Sequence, residues 1–209
     1  LAGVLAAKTT RAGILGIVVT SEIVTWNLQA GGFVQGARSV NPDINIHYAV
    51  IGHMAYEDVA GANRVTKSVI GAGADVIYGM GNGATFGMLQ AVETTPAIDG
   101  GKVWFIDVIG DKRGLDKGYL LSSTAWDLSP IWTAMISDLD EGTFGTKSYD
   151  LNLGNDTIKL LRTEHISDDV WAEIMQIRDD IVNGSIEVAQ VREIDKLKAM
   201  MSKLTGPSE

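Results

Sequence analysis

The stretch "DVIYGMGNGATFGMLQA", residues 75–91, reads as a strand that runs straight into a glycine turn and then into a helix. Asp75–Met80 is the expected strand and Thr85–Glu93 the expected helix. Working outward, the same unit repeats. "GILGIVV" (13–19) is rich in β-branched residues and apolar on both faces, a strand by that pattern. A helix through about Ser39 follows, with Ser21 or Thr25 as its cap. Asn41-Pro42-Asp43 then marks a turn, Asn45–Ile51 a second strand, and Tyr56–Gly71 a helix capped near Asp58. Beyond the quoted stretch, "KVWFIDV" (102–108) is a fourth strand and Tyr119–Ser122 a short fifth. Consecutive buried strands joined by helices predict an α/β fold, a parallel sheet covered on both faces.

The pattern changes after about Ser129. Pro130–Leu139 reads as a helix. "KSYDLNLGNDTIKLL" (147–161) reads as two strands around a Gly154-Asn155-Asp156 turn, a hairpin signal. Ser167–Val182 is a helix whose first turn carries acidic residues, which suits its dipole, and Asn183-Gly184 ends it. Val191–Leu204 is a last amphipathic helix, followed by the tail "TGPSE".

Composition narrows the function classes. The chain has 209 residues, 45% of them hydrophobic, enough for a sizeable core. A net charge of −9 argues against a nucleic-acid partner, which needs a basic face. The absence of cysteine excludes disulfides, thiolate metal sites and a Cys nucleophile. His47 falls within a strand and reads as structural. His53 and His165 are isolated, so no metal site is expected and no cofactor is assigned. No nucleophile elbow is present. The opening "LAGVLAAKTT" lacks a Met, a basic start and a cleavage site. It reads as a helix already under way, hence a fragment, and exposed apolar surface on Leu1–Ala7 and on the 151–161 hairpin is the expected sign.

In an open α/β sheet, ligands bind beyond the carboxyl ends of the strands. The residues expected there are Thr20-Ser21-Glu22 with Trp26, then His53 and Tyr56, then Gly79–Phe86, then Asp107, then Ser122–Trp126. Gly79-Met80-Gly81-Asn82-Gly83-Ala84 fits the dinucleotide pattern G-x-G-x-x-G/A, and Asp107 lies about 20 residues on, where a ribose-binding acid belongs. Against that reading, the turn follows the third strand, and Phe86 projects where a pyrophosphate needs bare backbone. The glycines serve equally as a tight turn or as a non-phosphate ligand loop. Asp107 ends an apolar strand, where a carboxylate can accept two hydroxyls; a helix or turn cap is the competing role. Trp26, Phe86 and Trp126 offer flat walls for a purine or a sugar face. Asp111-Lys112-Arg113 reads as a solvated turn.

The order of motifs resembles the basic membrane protein family, the purine-nucleoside-receptor-like substrate-binding lipoproteins of ABC transporters. The resemblance rests on "LAGVLAAKTTRAGILGIVV", "GGFVQGARSVNPDINIHY", "GADVIYGMGNGATFGMLQAVE", "VWFIDV" and "YLLSSTAWDL", and covers roughly residues 1–190. It implies a type 1 periplasmic-binding-protein fold, in which two α/β lobes close over a ligand about a hinge. One lobe would be largely complete (12–124 and 165–209) and the other partial (1–11 and 125–164). It further implies a small-molecule ligand (a purine nucleoside, base or sugar-like compound), an ABC permease as partner, an extracytoplasmic location and no catalysis. Carried over by position, Phe86 faces the base and Asp107 accepts ribose hydroxyls, with Asn82, Gly83, Trp26 and Trp126 completing the ligand-binding set. Two positions depart from the family: Val24 stands where Pro is usual, and "SSTAW" puts Trp126 where the family carries Lys. The resemblance therefore implies a free base, a different nucleoside or another ring compound. Two other classes stay open, a nicotinamide-dependent oxidoreductase built on Gly79–Ala84 and the ligand-sensing domain of a regulator.

Overall fold

The computed structural model describes residues 1–202. Six strands, β1 (Ile14–Val19), β2 (Asn45–Val50), β3 (Val76–Met80), β4 (Trp104–Ile109), β5 (Leu120–Trp126) and β6 (Ile158–Leu160), form one sheet in the order β2-β1-β3-β4-β5-β6. The first five run parallel; β6 pairs antiparallel with β5, Thr124 opposite Leu160. Seven helices are described: α1 (Ala2–Thr9), α2 (Val24–Val40), α3 (Val59–Gly71), α4 (Thr85–Thr94), α5 (Ser129–Asp140), α6 (Asp168–Val182) and α7 (Ile194–Ser202).

The side-chain alternation of the strands sorts the core into two layers. Leu15, Ile17, Val19, Val76, Tyr78 and Ile106 pack toward α1, α2, α6 and α7. Val18, Ile77 and Phe105 pack toward α3 and α4. The chain steps from β1 out to β2 through α2, then back across β1 to β3 through α3. Right-handed crossovers in opposite directions place those helices on opposite faces. The reversal lies between β1 and β3, so their carboxyl ends open the crevice where such sheets take ligands.

Local chemistry sets the element ends. Asp58 caps α3, its side chain accepting from the Gly61 amide at 2.7 Å. Ser167 caps α6, and Gly184, at φ +82°, follows its end. Asp75 is fully buried and receives the amides of Arg11 and Ala12 at 2.7 and 3.0 Å and the Thr10 hydroxyl, tying the α1–β1 joint to the foot of β3.

Several expectations are corrected. Neither Ser21 nor Thr25 caps α2; Ile23 stands at the cap, Ser21 Oγ instead accepts from the Met54 amide, and Thr25 already lies in the first turn. β5 runs on to Trp126, because β6 supplies its carboxyl half with a partner. The expected hairpin is absent: only β6 forms. Asn152 and Asn155 bind nearby amides through their side chains, which curls 150–157 into turns and leaves no second strand. α1 is buried, Val4, Leu5 and Ala6 being 2% exposed or less, so the expected apolar exposure at Leu1–Ala7 is not found. α7 begins at Ile194, and Leu204 and "TGPSE" lie outside the described residues.

Candidate functional site

The turn after β3 is packed as well as tight. A side chain at Gly79 would meet Met88 Sδ at 2.5 Å and the Phe105 ring at 2.6 Å, and one at Gly81 would meet Thr20 at 2.5 Å. These two glycines thus let α4 and β1 approach the strand. At the third, the Gly83 amide faces Glu57 Oε1 at 3.4 Å. The loop before α3 braces the turn, the Ala84 amide donating to the Tyr56 carbonyl at 2.8 Å. Phe86 follows on the first turn of α4 and is 48% exposed.

Asp107 lies near the carboxyl end of β4 and has no exposed surface. Burial pushes its carboxyl up to about 6, against the Lys112 ammonium, which favours the charged form. Lys112 pairs with Oδ2, while Oδ1 is buried without a hydrogen-bond partner. The chain delivers Lys112 by a sharp reversal. The Gly110 amide donates to the Val108 carbonyl at 2.8 Å across Ile109, whose φ is +71°: a γ-turn of the strained, positive-φ kind. A β-branched residue rarely adopts that conformation. Ser123, opposite Asp107 on β5, donates to the Gly110 carbonyl at 2.6 Å and pins the turn. The Lys112 ammonium then lies 5.4 Å from the centre of the Phe86 ring.

Lys112 therefore joins Asp107 to Phe86, and the solvated turn expected at 111–113 is corrected. Asp111 and Arg113 do pair with each other at the surface, but the Lys112 side chain is only 13% exposed. The signal for it was a lysine five residues beyond a buried strand-end aspartate, with Gly110 between them to permit the return.

Trp26 and Trp126 come together at the other face of the sheet. Their ring centres are 6.3 Å apart. Trp26 is buried and donates through Nε1 to Thr20 Oγ1 at 3.1 Å; Trp126 is half-buried, its Nε1 unpartnered. The expected residues thus form two groups: Asn82, Gly83 and Phe86 at the start of α4, with Asp107 linked to Phe86 through Lys112, and Trp26 and Trp126 on the α2 side. A separate cavity of about 660 Å³ lies between α1, α2, β6 and α6; none of the six expected residues lines it. Among the described residues, no group of three His, Asp or Glu side chains is placed to hold a metal, and no helix is long and apolar enough to cross a membrane.

A mostly parallel sheet with helices on both faces and a polar-aromatic rim at its strand ends is an open α/β architecture of the kind that takes ligands at a topological switch point. The fold is shared with a solute-binding protein of an ABC transporter system from Aeropyrum pernix K1 (TM-score 0.78, 18% identity, 97% of this chain and 66% of that one). Residues 1–192 match the Bmp family, described as ABC transporter substrate-binding protein PnrA-like, and the chain belongs to that family. It is 26% identical over 202 residues to the ABC transporter nucleoside-binding protein BmpA of Lactococcus lactis subsp. cremoris, covering 90% of this chain and 56% of that one. It is 27% identical over 154 residues to the transcriptional activator protein med of Bacillus subtilis, covering 73% of this chain and 45% of that one. The chain spans about half the length of these curated relatives.

Proposed function

We propose that the protein is the solute-binding component of an ABC importer and holds a small ring-plus-hydroxyl ligand, of which a purine nucleoside is the first choice. The observation that carries this reading is Asp107: a fully buried carboxylate at a strand end, with one oxygen unpartnered and the other paired to a lysine whose ammonium lies 5.4 Å from the centre of an exposed aromatic ring. An orphaned buried acceptor is costly, and a ligand hydroxyl would satisfy it. Phe86 offers the ring a stacking surface, and Asn82 and Gly83 lie on the turn beneath it. Trp26 and Trp126 would form the far wall. The relative named as a nucleoside-binding protein supports the same choice.

On this reading the protein works outside the cytoplasm with a permease and performs no chemistry on its ligand. Binding would favour a closed arrangement of two lobes. The proposed lobes are those the resemblance implies, 1–11 with 125–164 in one and 12–124 with the residues after 164 in the other. Calorimetric titration with a panel of nucleosides, bases and sugars tests the function. Asp107→Ala is expected to weaken binding at least tenfold, since it removes a charged hydrogen-bond acceptor. Absence of binding to every member of the panel would sink the reading.

A ligand-sensing role is the second reading, and the relative named as a transcriptional activator favours it. The dinucleotide reading is disfavoured by Glu57. Its carboxylate faces the Gly83 amide at the start of α4, where a pyrophosphate would meet a like charge. Titration with NADH separates that reading from the others.

A further inference from the structure

We propose that Lys112 selects the edge chemistry of the ligand, favouring rings with a carbonyl oxygen over rings with an amino group at the edge facing its ammonium. The inference rests on the ring-ligand reading above and goes further by naming what the ring must carry.

The ammonium has three donors. One is engaged by Asp107 Oδ2, and no other hydrogen bond of Lys112 Nζ is found among the described residues. The side chain is nearly withdrawn from water, so the remaining donors call for an acceptor. The ammonium lies over the Phe86 ring, 5.4 Å from its centre, on the surface a stacked ligand would use. A planar ligand entering there must displace it sideways. The flexible four-carbon stem allows that shift while the pair with Asp107 is kept. The ammonium then meets the ligand's edge. A carbonyl oxygen there accepts a charge-assisted hydrogen bond, whereas an amino group presents donor to donor. The nearest other cation on this loop, Arg113, is committed to Asp111 through both Nε and Nη2. Glu57 sits at Gly83, on the turn that leads into α4. Ligand hydroxyls are left to Asp107 Oδ1, which lacks a partner.

Inosine and adenosine have nearly the same shape and differ in an oxo against an amino group, so they form the test pair. Calorimetric titration at pH 7.5, where Asp107 is ionised, is expected to show inosine bound about tenfold or more tightly than adenosine. Lys112→Met keeps the apolar stem and should bring the ratio close to one, chiefly by weakening inosine. Lys112→Gln, which keeps a donor without the charge, should give an intermediate ratio and serves if the Met variant does not fold. Equal binding by the wild type, a preference for adenosine, or a preference that survives in both variants would overturn the proposal while leaving the ring-ligand reading intact. Binding of neither nucleoside would overturn the proposal, and the full panel of nucleosides, bases and sugars then decides the ring-ligand reading.

Discussion

At the scale of single residues, Asp107 dominates the electrostatics of the site. Its carboxyl holds a proton up to a pH of about 6 in the folded protein, whereas an unfolded chain releases it near pH 4. Between those values the folded state binds more protons, so this group's contribution makes stability fall as pH rises, and its full penalty is present above about pH 6. The surface carboxylates act in the opposite sense. Asp99 and Asp111 are held below the usual range chiefly by side-chain hydrogen bonds from Arg11 and Arg113, so their contribution is lost as pH falls. Asp107→Asn isolates the buried group. Denaturant melts of the two proteins are expected to diverge between pH 4 and 7, the variant gaining on the order of 2 kcal/mol relative to wild type across that window. A constant difference would show that burial does not perturb Asp107. None of this was legible from "VWFID" alone. The pattern placed the carboxylate at a strand end but could not reveal a lysine brought back by a γ-turn, because that turn strains Ile109 against its own preference.

At the scale of elements, sequence patterns were read well where a single local interaction decides the outcome. Asp58 caps its helix as expected, because its short side chain reaches a free amide, and the helix read from Ser167 opens there because that side chain does the same. The central strands β1, β3 and β4 were legible because both faces are buried. "YDLNL" misled because its alternation matches a strand, while the Asn152 and Asn155 side chains accept from the Asn155 and Thr157 amides and give the backbone a competing set of partners. The double glycine of α2 shows why identical residues in one helix are not equivalent. A methyl at Gly32 meets nothing within 4 Å, whereas one at Gly31 meets Val191 Cβ at 2.7 Å, a segment that packs across the helix. Gly32→Ala is expected to stabilise by about 0.5–1 kcal/mol, through helix propensity alone. Gly31→Ala should destabilise, by roughly 1–3 kcal/mol, through overpacking. Thermal melts of the pair decide it; a loss at position 32 would mean that α2 or its neighbours lie closer than described.

At the scale of the whole molecule, the sheet order fixes where chemistry can gather. The reversal between β1 and β3 opens a crevice, and the short antiparallel β6 forms the far edge. The chain order of strands and helices was legible; the antiparallel edge was not, since pairing between residues 124 and 160 leaves no local mark. The rim also contains two indole rings, one from the first turn of α2 and one from the last residue of β5. At 6.3 Å and a tilt of 38°, their transitions are coupled. The protein therefore has a built-in optical gauge of its own cleft. Near-ultraviolet circular dichroism should show a coupled tryptophan signal that Trp26→Phe removes, and a ligand that wedges between α2 and β5 should alter it without any attached dye. A spectrum unchanged by Trp26→Phe would place the two rings out of register in solution.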